Sequence, residues 1–135
     1  MDRLKQKISS AQRALDTLRE ALNLGDVSVI ARDASIQRFE YTFEAVWKAA
    51  KMFLREAEGL DIGSPKGVIR SCMQVGIFGE EEAMQALEMV DDRNLVSHTY
   101  NEGLSGQIYA RLDSYALLLE KWLKRIQERL GQDTR

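Results

Sequence analysis

Residues 36–54 read IQRFEYTFEAVWKAAKMFL. Ile36, Phe39, Phe43, Trp47, Ala50 and Leu54 recur in steps of three and four, so one face of a helix carries them all. The same spacing appears to either side. Leu4, Ile8, Ala11, Leu15, Leu18 and Leu22 form an earlier stripe that Gly25 ends, and Gly59 closes the central one. Ser64-Pro65 then marks a short third helix, with Ser64 as its cap and Val68, Ile69, Cys72 and Val75 inside. A fourth helix opens on Glu80-Glu81-Glu82, acids placed where the helix dipole favours them. Gly103 and Gly106 punctuate the chain beyond it, and a last helix is predicted through Ile108, Leu112, Tyr115, Leu119, Trp122, Ile126 and Leu130. No strand-period alternation competes. The expected fold is all-α, an up-and-down bundle of four to five helices in a single domain spanning residues 1–135.

Composition agrees and excludes several classes. One proline in 135 residues suits helices, and a single cysteine, Cys72, can form neither an internal disulfide nor a cysteine-based zinc site. The opening Met1-Asp2-Arg3-Leu4-Lys5 lacks the apolar run of a secretory leader, and no stretch approaches the ~20 apolar residues of a membrane span. A cytoplasmic protein with no membrane association is expected. A net charge of −2 argues against a broadly basic nucleic-acid surface and leaves room for a small local one. Leu117, Leu118 and Leu123 widen the apolar face of the last helix, which reads as deep burial; a second surface for dimerisation is the alternative. Lys121, Lys124, Arg125 and Arg129 read as its solvated face, with a role in guiding RNA or an acidic partner as the alternative.

One segment stands apart: Arg93-Asn94-Leu95-Val96-Ser97-His98-Thr99-Tyr100. His98 is the only histidine. Asp91 and Asp92 lie late in a helical pattern, where negative charge opposes the dipole, and such local disagreements gather at functional sites. Arg93 and His98 are five residues apart and diverge by about 140° on an ideal helix. They meet on one substrate only if the helix distorts or ends between them, or if a second subunit completes the site. His98 and Tyr100 share a side only in extended chain, which places the segment near a helix end. A histidine moves protons near neutral pH and an arginine fork matches a phosphate, so the trio suits phosphoryl transfer on RNA without a metal. The alternative is structural: Arg93 pairs with Asp91 or Asp92 while His98 caps a helix end. The residues alone leave both open.

The order Arg93-x4-His98-x-Tyr100 resembles the motif of the HEPN superfamily, and more closely its HepT branch and the nucleotidyltransferase substrate-binding proteins. Gln37-Arg38-Phe39-Glu40-Tyr41 through Glu44 and Trp47-Lys48 is similar to that family's second helix, and Ser64-Pro65 with Val68-Ile69-Arg70 to its third. The resemblance covers roughly the whole chain. It implies a dimeric HEPN-like bundle, encoded beside a minimal nucleotidyltransferase, that acts as a ribonuclease toxin silenced by adenylylation of the motif tyrosine. Arg93 and His98 would then be catalytic, Tyr100 the modified residue and Asn94 the polar neighbour. Apart from the resemblance, Arg38 and Glu40 in the aromatic-rich second helix, with Asp92, read as residues that flank the cleft; an exposed ion pair beside a packed core is the alternative for Arg38 and Glu40. No cofactor or metal is implied. A non-catalytic subunit that docks the nucleotidyltransferase and presents its substrate is the alternative, and a purely structural dimer the third. Gly63-Ser64 with Glu80 and Glu82 matches the transferase's own Gly-Ser turn and carboxylates only superficially, and reads as helix starts.

Overall fold

A computed structural model describes residues 2–25, 28–99 and 101–133, with backbone alone at 132 and 133. It contains α1 (Asp2–Asn23), α2 (Val29–Glu58), α3 (Pro65–Gln74), α4 (Glu80–His98), α5 (Glu102–Tyr109) and α6 (Leu112–Asp133), with no strand among the described residues. The all-α bundle is as expected, with one more helix. Gly103 and Gly106 do not break the chain but lie inside α5, which also claims Ile108 from the predicted last helix. Asn101 makes this possible: its Oδ1 accepts the Leu104 N–H at 3.0 Å and starts a helix despite two glycines.

The other boundaries reflect local chemistry. Ser28 caps α2, and Ser64 Oγ accepts from Gly67 N–H ahead of Pro65 in α3. Gly59 ends α2 in the left-handed region at φ 69°, and Leu60 N–H reaches the Leu54 carbonyl at 2.9 Å. A Cβ at Gly59 would meet nothing within 4 Å, so Gly59→Ala is expected to cost only the backbone term, about 1 kcal/mol. Urea unfolding midpoints measure it.

α2 is the organising helix, packed against α1, α3, α5 and α6. Its Phe39, Phe43, Val46, Phe53 and Leu54 are fully buried, beside Leu4, Leu15 and Leu18 of α1 and Leu119, Trp122 and Leu123 of α6. Phe39 stacks on Tyr115 at 5.6 Å, and Phe78 tilts against Trp122 at 5.0 Å. Leu118 and Leu123 are buried as expected of a deeply packed α6, whereas Leu117 is exposed.

The basic face of α6 needs correction. Lys121 and Lys124 are solvated, but Arg125 and Arg129 close the α3–α4 turn. Arg129 donates to the Val75 carbonyl at 2.7 Å, and Arg125 to the Ile77 carbonyl at 3.0 Å and to Glu82 Oε1 at 2.6 Å. Arg129 thus satisfies the carbonyl at the α3 C-cap, and Arg125 one in the turn that follows it. Glu82 also accepts the Gly79 N–H at 2.9 Å. The Arg125 bond, then the Gly79 bond, hold its carboxyl below the usual range against some opposing burial. A lowered carboxyl contributes stability above its unfolded value near 4.3, lost as pH falls through the folded one. Glu82→Gln should therefore destabilise by about 1 kcal/mol at pH 7, a gap that closes on acidification and is read from unfolding curves at several pH values.

Candidate functional site

The last two turns of α4 are held from both sides. Asp92 is buried, and its Oδ2 accepts from Arg111 at 2.7 Å and from the Tyr115 hydroxyl at 2.5 Å. Burial, then the Asp92 carboxylate, keep the Tyr115 phenol protonated well above its ordinary range, so it remains a donor. This locks α4 to α6 and fixes the rotation of α4 about its axis. One residue on, Arg93 turns toward α2. Its guanidinium bonds Glu44 Oε2 at 2.9 Å and Asn94 Oδ1 at 3.2 Å, and lies 6.0 Å from the Phe43 ring centre. A turn later, Ser97 Oγ donates to Glu40 Oε2 at 2.8 Å. Because 93 meets 44 and 97 meets 40, α4 runs antiparallel to α2.

Glu44 is the hub. Beyond Arg93 it accepts from Trp47 Nε1 at 3.1 Å and pairs with Lys48 Nζ at 3.1 Å. Burial pushes its carboxyl up, but the bonds from Trp47 and Lys48 and the charges of Lys48 and Arg93 outweigh it, and the net displacement is downward. Glu44 is thus an anion that orients the arginine, and the Arg93 Nε remains without a hydrogen-bond partner among the described residues. His98 is the final residue of α4 and is exposed. Thr99 then turns extended at φ −141° and ψ 122°.

Arg93 and His98 lie on one uninterrupted α4 with the helix ending after His98, so the two diverge by about 140° within one chain. The segment does end a helix, as expected. Asn94 is exposed beside the Arg93 fork. Arg38 is turned to α1, where its NH1 donates to the Thr17 carbonyl at 2.8 Å, and the α2 groups that meet α4 are Glu40 and Glu44. The pairing of Arg93 with Asp91 or Asp92, the structural alternative, is not what forms. Asp91 binds Lys66 at 2.7 Å and Asp92 is taken by α6, because successive helix residues point about 100° apart and only Arg93 faces Glu44. Tyr100 lies outside the described residues. Sequence reasoning gave Glu44 and Tyr115 only a place in a helix pattern, with no role at the site, and did not name Arg111. The Glu40/Glu44 spacing alone signals a shared face, without saying what it meets.

A family model described as nucleotidyltransferase substrate binding protein like matches residues 6–128. The chain belongs to this family. Among relatives of this nucleotidyltransferase substrate-binding-like protein, one from Thermus thermophilus is 57% identical in its crystal structure. That likeness covers 86% of this chain and 98% of the other, with a TM-score of 0.82. A Haemophilus influenzae protein named "Probable ribonuclease HepT" is 28% identical over 103 residues, 73% of this chain and 69% of that one. The tri-AMPylated Shewanella oneidensis HEPN toxin, solved in complex with its MNT antitoxin, is 18% identical. It shares the fold at a TM-score of 0.78 over 95% of this chain and 98% of the toxin. Among the described residues no helix is long and apolar enough to cross a membrane, and no cluster of three or more His, Cys, Asp or Glu side chains could hold a metal.

Proposed function

We propose that this protein is a metal-independent endoribonuclease of HepT type, a cytoplasmic toxin silenced by a small nucleotidyltransferase. The observation that carries the reading is that α4 holds both an Arg93 oriented by Glu44 and, at its end, an exposed His98. His98 takes the proton of a ribose 2′-hydroxyl, which attacks the adjacent phosphorus. The P–O5′ bond breaks, and the leaving oxygen is protonated by a second imidazole. Arg93 balances charge on the phosphoryl oxygens. Since the two side chains diverge on an unbroken helix, one copy does not focus both on a single phosphate, which favours a two-fold dimer joining two α4 ends. Silencing transfers AMP: the Tyr100 oxygen bonds the α-phosphorus of ATP, pyrophosphate leaves and the phenolic proton goes to solvent.

A second reading has its own support. Glu44 already neutralises Arg93, as suits a docking subunit that has no anion to bind there. The two separate on one experiment: total RNA incubated with purified protein and a metal chelator. Cleavage that is lost in both Arg93→Ala and His98→Ala supports the ribonuclease. Intact RNA, with Tyr100 shown unmodified by mass spectrometry, overturns it in favour of the docking subunit.

A further inference from the structure

The chain is acidic overall, with a net charge of −2, yet the charged side chains lining one of its grooves are all cations. Two adjoining hollows run along the seam between the first half of α1 and the second half of α2. They share Lys7 and Lys48, and Arg3, Lys51 and Arg55 complete their charged lining, with no acidic side chain among the described residues that form their walls. Trp47 lies at the groove's floor, almost wholly buried.

Three further observations make this more than a solvated face. Lys48 is paired with Glu44, but Arg3, Lys7, Lys51 and Arg55 have no ion-pair partner among the described residues. The unpaired four form two like-charge pairs at i, i+4, Arg3 with Lys7 and Lys51 with Arg55, an arrangement that destabilises helices unless an anion answers it. Finally, Lys48, Lys51 and Arg55 come four, seven and eleven residues after Glu44, one continuous stripe of α2. That stripe starts beside Arg93, which Glu44 grips, and runs away from it for about 16 Å at 1.5 Å per residue. At 3.4 Å per stacked nucleotide this spans roughly five nucleotides of one strand.

We propose that the α1–α2 groove binds the phosphate backbone of single-stranded RNA and leads it to Arg93. The anion-binding chemistry stands on the groove itself; the choice of RNA rests on the ribonuclease reading. Contacts of this kind are sequence-independent and salt-dependent, because each neutralised phosphate releases counterions.

The test uses the full chain carrying His98→Ala, so that the probe stays intact, and a fluorescein-labelled twelve-residue oligouridylate followed by anisotropy across a potassium chloride series. Lys7→Gln, Lys51→Gln and Arg55→Gln are combined in one variant. Arg70→Gln, Lys121→Gln and Lys124→Gln, all exposed elsewhere, make a second variant with the same change in net charge. Matching circular dichroism and thermal midpoints establish that both are folded. The groove variant is expected to bind about tenfold or more weakly at 0.1 M salt, with a slope of log K against log salt reduced by about 2, near 0.7 per lost phosphate contact. The control variant is expected to stay within about twofold of its parent. Equal losses in the two variants, or none in the groove variant, would overturn the proposal. It also falls if the groove variant keeps RNA but loses a co-expressed nucleotidyltransferase, since the surface then serves a protein. The two readings fail separately. Groove-dependent binding without cleavage by the His98 protein sinks the ribonuclease alone. Cleavage with unchanged KM and kcat in the groove variant of the His98 protein sinks the groove alone.

Discussion

Alanine at His98 is expected to slow RNA cleavage by about 10²- to 10⁴-fold, the range that loss of a positioned general acid or base produces. In barrier terms that is about 3–5 kcal/mol. The substitution should leave the fold alone, because His98 is exposed at the last position of α4 and alanine is the better helix former. The thermal midpoint should therefore move by only about 1 °C, apart from a small lost interaction with the helix dipole. Arg93→Ala is expected to reduce cleavage comparably, but with a structural component, since it also removes the partner of Glu44 and the cation over Phe43. Arg93→Lys separates the two parts. A lysine can keep the charge near Glu44 but not the planar fork, so stability should recover while cleavage stays low. Single-turnover cleavage at saturating protein, with melting curves on the same samples, measures both. Full activity in His98→Ala would remove the histidine from the chemistry altogether.

The second large effect is on stability. Asp92→Ala is expected to destabilise the protein by about 2–3 kcal/mol, because it strips the buried Tyr115 hydroxyl and the Arg111 guanidinium of their shared acceptor. Removing one member of a fully buried ion pair costs about 3–5 kcal/mol, and the lower figure applies because the Arg111 side chain is 42% exposed and can turn to water. For a chain of this length the melting temperature should fall by roughly 10 °C. Tyr115→Phe, which leaves the Asp92–Arg111 pair intact, should cost about 1 kcal/mol. The consequence for function is indirect. Asp92 fixes the rotation of α4, so its loss should loosen Arg93 from Glu44 and lower cleavage even at temperatures where the protein remains folded. Hydrogen exchange of the amides from 93 to 98 would show the loosening; unchanged protection there would place the role of Asp92 in global stability alone.

Much of this protein was legible as periodicity. The stripes of α1 and α2, the Ser64-Pro65 start and the Gly59 stop are local statements, because helix-forming bonds join residues four apart and caps act within one turn. The Arg93-to-His98 motif was legible through its resemblance to a family motif rather than through periodicity, and only the 140° divergence that makes a dimeric site attractive comes from five residues of helix. The division of α5 from α6 was less so. Glycine content pointed to a break, whereas the Asn101 cap and the burial of Ile108 outweigh the low helix propensity of Gly103 and Gly106.

What only the tertiary structure decided is which charge meets which. Arg93 had acids immediately before it, yet its partner is Glu44, separated by 49 residues, while Asp92 bonds Arg111 and Tyr115 on the far side of α4. Arg125 and Arg129 looked like a solvated face and instead close a turn some 50 residues upstream. Helical phase, set by local backbone bonds, tells which side chains share a face. Their partners depend on how the faces of α2, α4 and α6 come together, and that is settled by packing of the apolar stripes between distant segments.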